Sequence, residues 1–413
     1  MIDRQNLQAY YPFGRLDRLL EGLRPGAPRL GLDGTAPDEP VPLQLGEPRN
    51  QPPAFVAEEL TRAAADWSRY PLPRGTLEYR DACAAWLNLR YDLPDGMVDP
   101  ETAILAVPGT REGLFFTALA NTPVAGGAAG GAAGGAEDRA VVLIPNPCYH
   151  VYYSATAAAG AEPVFVSATA ETGFQPDYTA LDPVLLDRVS LAYFCTPSNP
   201  QGAIADLDQL KALIQLARTH DFTVAIDECY AEIYNEAAPP GALQAAAALG
   251  GSLDNLLVFH SLSKRSSAPG LRCGFAAGDP KRIDALAVMM STGGAGVPLP
   301  VCAAGTKLWR EEDHARANRL RYQENFAIAE RVLGNRFNFR KPGGGFFLWL
   351  DVGDGEAAAL KLWREAGIKV LPGAYMCQGT NGAVNPGAAY IRIALIYDAD
   401  YTEAALRRVA EVL

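Results

Sequence analysis

Histidine is scarce in this chain: His150, His220, His260 and His314 are the 4 in 413 residues, with no helical or knuckle spacing between them. That argues against a zinc centre, whose ligands come in close pairs. The 7 cysteines are scattered, odd in number and never arranged C-x-x-C. This is the usage of reduced thiols in a cytoplasmic protein rather than of a disulfide framework or a metal knuckle. Positive charge is also short, the net charge being −11, which argues against a nucleic-acid partner because phosphate-backbone binding needs a basic face. A local basic pocket for a small anion remains compatible with it. The opening Met1–Tyr10 lacks an apolar h-region, so no signal peptide is expected. Uncharged stretches at 113–136 and 285–306 are broken by Gly, Pro and polar residues and do not read as membrane spans. No G-x-S-x-G elbow or paired-carboxylate hydrolase pattern is present.

What is there is the composition of a soluble globular protein, 49% apolar and 20% charged, long enough for two or three domains. Short apolar runs at 103–107, 141–144, 163–166, 191–194, 223–226, 256–259 and 273–277 alternate with helix-length segments, such as 207–219 behind Asp206 as N-cap. The alternation predicts an α/β fold, a mostly parallel sheet between helices, with ligands beyond the carboxyl ends of its strands. After residue 301 a long charged helix over 305–333 and strands over 337–340, 345–350 and 389–395 predict a smaller α+β unit. The Gly/Ala-rich run 124–136 fits no phosphate-loop spacing and reads as a flexible surface insertion.

Five strand ends carry chemistry. In Val258-Phe-His-Ser-Leu-Ser-Lys-Arg265, Lys264 follows an apolar strand, where burial lets an amine lose its proton and form a Schiff base with an aldehyde. Ser261, Ser263 and Arg272 beside it suit a phosphate. Aldehyde plus phosphate describes pyridoxal 5′-phosphate (PLP). Asn199, in Thr196-Pro-Ser-Asn-Pro-Gln-Gly202, can reach a phenolic oxygen on a ring, or simply make a turn. Asp227 can hold a pyridine nitrogen protonated, or cap a helix, and Tyr230 can share the ring oxygen with Asn199. Gly109, Thr110 and Arg111 open a helix whose free N–H groups would cradle a phosphate, a reading compatible with Thr110 as an ordinary cap. Tyr149 offers a ring to stack on a flat cofactor, or to pack in the core. Arg392 lies inside an apolar strand, where it needs a carboxylate unless the strand is an edge. Arg49, Arg74 and Arg265 stand near these motifs but read as solvated surface residues.

The set Asn199-Pro-x-Gly202, Asp227-x-x-Tyr230, Ser263-Lys264 with Arg272, and Arg392 resembles the class I/II aminotransferases of PLP fold type I over nearly the whole chain. The resemblance implies a large domain at 49–300 with a seven-stranded sheet, a small domain at 301–413, and residues 1–48 as an arm that joins the small domain. It implies Lys264 as the residue that holds the cofactor, Asp227 at its ring nitrogen, Asn199 and Tyr230 at its ring oxygen, and Tyr149 against its face. Gly109, Thr110, Arg111, Ser261, Ser263 and Arg272 then hold its phosphate, and Gly46, Asn199 and Arg392 the substrate α-carboxylate. Tyr70 is implied to reach the cofactor phosphate of a neighbouring subunit, hence a homodimer. A closer likeness, in Tyr11-Pro-Phe13, Leu45-Gly-Glu-Pro-Arg49, Gly109-Thr-Arg-Glu-Gly-Leu-Phe115, His260-Ser-Leu-Ser-Lys-Arg-Ser266 and Leu371-Pro-Gly-Ala-Tyr375, is to the succinyldiaminopimelate aminotransferases of lysine biosynthesis. The expected reaction exchanges an amino group between glutamate and an oxo acid. The other readings are an aspartate, alanine or aromatic aminotransferase, a PLP carbon–sulfur lyase and, remotely, a non-catalytic PLP-binding regulator module.

Overall fold

The computed structural model describes residues 7, 10–32, 39–123, 139–378 and 384–413; the insertion expected at 124–136 lies outside them. Among the described residues twelve strands follow one another: β1 (Val41–Pro42), β2 (Ile104–Val107), β3 (Val141–Asn146), β4 (Glu162–Ser167), β5 (Val189–Cys195), β6 (Thr223–Asp227), β7 (Leu256–Ser261), β8 (Gly274–Gly278), β9 (Phe347–Asp351), β10 (Ile368–Lys369), β11 (Leu371–Pro372) and β12 (Tyr390–Ala394). Seven of them form one sheet in the order β2-β8-β7-β6-β5-β3-β4. Only β8 runs against the rest, pairing antiparallel with both β2 and β7. The fold is α/β with a mostly parallel seven-stranded sheet, as the run-and-helix rhythm predicts. Strands β2, β3, β6, β7 and β8 are buried at every position, because helices cover both faces and no polar side is left to alternate. The helix Leu207–Thr219 starts at Asp206 in a capping box with Gln209, satisfying backbone donors that the helix itself cannot.

Register decides where the site lies. Cys195 pairs with Asp227 and Asp227 with Phe259, so the carboxyl ends of β5 and β6 finish at one level and β7 runs two residues further, to Ser261. Because β8 is reversed, its first residue, Gly274, sits opposite both Ser261 and Val107. Arg272, two residues before Gly274, is thereby carried to the mouth of β2, where Gly109 and Thr110 begin the next helix.

A second core gathers β9, β12 and the helices Asp313–Leu333, Gly355–Ala366 and Ala399–Val412, with Val41 and Leu43 from the amino-terminal segment joining it. There β11, β12 and β9 form an antiparallel sheet, and Val41 pairs with Ile368. Two expectations fail here. The helix over 305–333 is two helices, Leu299–Arg310 and Asp313–Leu333. Arg265 donates to the carbonyls of Leu308 and Glu311 and to Glu312 Oε1 at the break, taking up acceptors that a continuous helix would use itself. The strand over 337–340 is a single 3-10 turn at Arg336–Asn338, with Phe337 at φ 58°; a left-handed residue cannot sit in a strand. Among the described residues no helix is long and apolar enough to cross a membrane.

Candidate active site

A cavity of about 460 Å³ opens beyond the carboxyl ends of β5, β6 and β7. Gly46, Thr110, Arg111, Tyr149, Asn199, Asp227, Tyr230, Ser261, Ser263, Lys264, Arg272 and Arg392 all line it. Gly109 stands just behind this wall. Tyr70 does not join it in the single chain, where its side chain is 95% exposed.

Lys264 sits on the short helix Leu262–Arg265 directly after β7. Its Nζ donates to the carbonyl oxygen of Gly46 and lies 5.2 Å from the centre of the Phe346 ring. Burial brings its pKa down from 10.5 to about 8, with Cys229 opposing that fall and Arg392 adding to it. A lysine so placed has far more free amine near neutrality than an ordinary lysine, and that is the form that attacks a carbonyl.

Asp227 closes β6 and is buried at 4% exposure. Its Oδ2 accepts from the Tyr152 hydroxyl at 2.9 Å and its Oδ1 from the Cys229 N–H at 3.2 Å. Burial raises its pKa while these two donors pull it back. No ion pair to it occurs among the described residues, so a protonated ring nitrogen would supply the missing positive partner. Tyr152, which the sequence motifs do not single out, is itself fixed by stacking on Tyr193 at 4.6 Å between centroids. The only signal for it is its place three residues after Tyr149, in the first turn of the helix His150–Ala158 that Tyr149 caps.

Arg392 on β12 is 4% exposed. It donates to Asn199 Oδ1 at 3.0 Å and to the Gln44 carbonyl at 2.7 Å, and packs at 4.2 Å on the Phe347 ring. Its Nε has no partner, and burial lowers its pKa to about 10. A buried guanidinium served only by neutral oxygens is costly, by several kcal/mol in the absence of an anion. Gly46 lies against the same wall, where a Cβ would stand 2.4 Å from Phe347 Cζ. Tyr230 meets Phe346 and Phe347 edge-on at 5.4 and 5.9 Å.

The phosphate end is equally defined. Gly109 is the N-cap of the helix Thr110–Asn121, so Thr110 is its first residue rather than its cap. With φ +91°, Gly109 passes so close to Arg272 that a Cβ would stand 2.3 Å from Nη2. Arg272 is held there by Glu112 and the Pro108 carbonyl at 2.7 and 2.9 Å. Ser261 Oγ donates to Ser263 Oγ at 2.9 Å and accepts from the Ser263 N–H. A helix start, hydroxyls and a guanidinium converging on one spot form an anion cradle. Arg111 Nε donates to the Tyr149 hydroxyl at 2.8 Å, fixing that ring in the cavity wall. Gly202, at φ +67°, lets the Asn-Pro turn pass Pro342, where a Cβ would come within 2.5 Å. His150, also unforeseen, lines the wall and stays neutral, burial and Arg111 holding its pKa at about 4.

The three arginines read as solvated do not behave alike. Arg265 is buried among Glu312, Ser266 and His314. Arg74 pairs with Asp284 and the Thr102 carbonyl, and Arg49 lies over the Tyr397 ring at 5.6 Å.

The arrangement fits PLP: an amine of depressed basicity, a buried carboxylate lacking a cation, an anion cradle and a second anion receptor. Comparison with known proteins agrees. Residues 38–413 match the family model described as aminotransferase class I and II. The LL-diaminopimelate aminotransferase of Moorella thermoacetica is 29% identical over 90% of both chains. The 4-dedimethylamino-4-oxo-anhydrotetracycline transaminase of Streptomyces rimosus is 32% identical over 87% of this chain and 89% of its own. A crystal structure of an aminotransferase from Neisseria meningitidis superposes with TM-score 0.87 and 36% identity, covering 98% of this chain and 99% of that one. The chain belongs to the class I and II aminotransferases, enzymes that use pyridoxal 5′-phosphate to move amino groups between small amino donors and oxo acids.

Proposed function

We propose that this aminotransferase exchanges an amino group between glutamate and N-succinyl-2-amino-6-oxopimelate, yielding succinyldiaminopimelate, and that it works as a homodimer. The observation that carries this reading of the site is Arg392, a buried guanidinium with an unpartnered Nε beside Asn199. It calls for the α-carboxylate of an amino or oxo acid in a two-point clasp. The motifs shared with succinyldiaminopimelate aminotransferases, and the diaminopimelate in a relative's name, support the substrate. Tyr70, with Trp67 and Leu72 also exposed at 56% and 46%, supports a second copy covering this face, Tyr70 then reaching the partner's phosphate cradle.

When bound, PLP supplies an electron sink for charge developing at the substrate Cα. Lys264 would hold the cofactor aldehyde, and its Nζ, as the free amine, would take the proton from the substrate Cα. Asp227, oriented by the Tyr152 hydroxyl, would keep the pyridine nitrogen protonated. Asn199 has its Oδ1 committed to Arg392, leaving its N–H donors for the ring oxygen together with Tyr230. The first-turn amides at Thr110 and Arg111, with Ser261, Ser263 and Arg272, would hold the phosphate. The donor product leaves before the acceptor enters, so kinetics are ping-pong.

A second reading, LL-diaminopimelate itself as the amino acid, is favoured by the Moorella relative's name. Donor activity with 2-oxoglutarate as acceptor separates them. Higher kcat/KM for N-succinyl-LL-diaminopimelate than for LL-diaminopimelate, aspartate, alanine or phenylalanine supports the first reading. Preference for LL-diaminopimelate assigns the second, and preference for a simple amino acid removes both while leaving the class intact.

A further inference from the structure

The helix that carries Lys264 is four residues long, Leu262–Arg265, too short to satisfy its own closing carbonyls. Asn318, on the helix Asp313–Leu333 and only 6% exposed, does so instead. Its Nδ2 donates to the Lys264 carbonyl at 2.9 Å and to the Arg265 carbonyl at 3.2 Å. Its Oδ1 accepts from Ser267 Oγ at 3.0 Å and from Asn50 Nδ2 at 3.1 Å. One buried amide thus ties together the lysine's main chain, the turn after it and the segment that follows Gly46, whose carbonyl receives the Lys264 ammonium. Its donors serve the lysine helix, while its acceptor serves the two other segments.

We propose that Asn318 is a positioning residue for Lys264: by fixing the lysine's carbonyl it sets where Nζ can reach, without touching substrate or cofactor. The proposal rests on Lys264 being the residue that holds PLP. Small displacements of a reacting group cost rate rather than binding, about 100-fold for a shift on the order of 1 Å. Asn318→Ala removes all four bonds of the amide, the two to the lysine helix among them; Asn50→Ala removes only one bond on the far side and serves as the structural control.

The test measures melting temperature, the pH midpoint of the bound cofactor's absorbance band, and kcat and KM for glutamate. Asn318→Ala is expected to lower kcat between about 10- and 100-fold with little change in KM, and to move the absorbance midpoint. Asn50→Ala is expected to leave midpoint and kcat near those of the parent. If Asn318→Ala yields no folded protein, Asn318→Ser, which keeps one short donor, takes its place with the same expectations. Asn318 variants whose midpoint and kcat match those of Asn50→Ala overturn the proposal. Failure of the reading beneath it looks different: the parent enzyme itself would then show no cofactor attached to Lys264.

Discussion

Arg392 Nη1 donates to Asn199 Oδ1 at 3.0 Å across 193 residues of sequence, joining β12 of the smaller sheet to the turn after β5. On the function proposed above, the side chain that would take a carboxylate is thereby held by one that would border the cofactor, so substrate recognition and ring binding would share a hydrogen bond. Arg392→Gln should raise KM for amino donor and oxo acid alike, with kcat/KM falling by about 100-fold, the scale of truncating a buried hydrogen-bonded charge contact at about 2–5 kcal/mol. Steady-state kinetics with both substrates checks this, and unchanged KM values would contradict it.

The lowered pKa of Lys264, about 8, fixes a pH dependence. Its ammonium is disfavoured by burial, so the reactive free amine grows as pH rises and levels off above about 8 rather than near the ordinary 10.5. Stopped-flow absorbance of PLP added to apoenzyme should show a capture rate rising with pH and bending near that value. A rate still climbing steeply a full pH unit beyond it would contradict the burial argument.

Tyr152 donates to Asp227 Oδ2 and so favours the carboxylate. Removing the hydroxyl in Tyr152→Phe raises the Asp227 pKa further, because a donor that stabilised the charged form is gone. The acid limb of kcat against pH should therefore move to higher pH, with activity at neutrality reduced by roughly tenfold, the worth of a hydrogen bond to a charged group. An acid limb left in place would show that Tyr152 has no hold on Asp227.

If sites are shared between two copies, Tyr70→Ala and Lys264→Ala each disable the enzyme, yet a hybrid of the two has one intact site. Random reassociation of equal amounts should restore about a quarter of the parent activity, since half of the dimers are hybrids with one working site in two. No recovery on mixing, with hybrids demonstrated by native mass spectrometry, would exclude the shared arrangement.

The sheet was legible because β2, β3 and β5–β8 are short apolar runs buried on both faces, and because residues at their carboxyl ends, Asn199, Asp227 and Ser261 with Lys264 one turn on, are the polar exceptions. The positions of these residues follow from strand register, which the alternation of strands and helices already implied. Less could be read where tertiary contacts decide. The break at Glu311 carries no Gly or Pro and is made by Arg265, 46 residues away. Tyr152 is an ordinary helix tyrosine in sequence, and its task emerges only once β6 brings Asp227 beside it. Phe337 looks like a strand residue until its left-handed backbone is seen.

Borohydride reduction of the holoenzyme followed by peptide mass mapping bears most directly on the central claim. The account predicts a pyridoxyl mass on the peptide containing Lys264 and on no other. An adduct at a different lysine, or none in protein that has bound PLP, would contradict it.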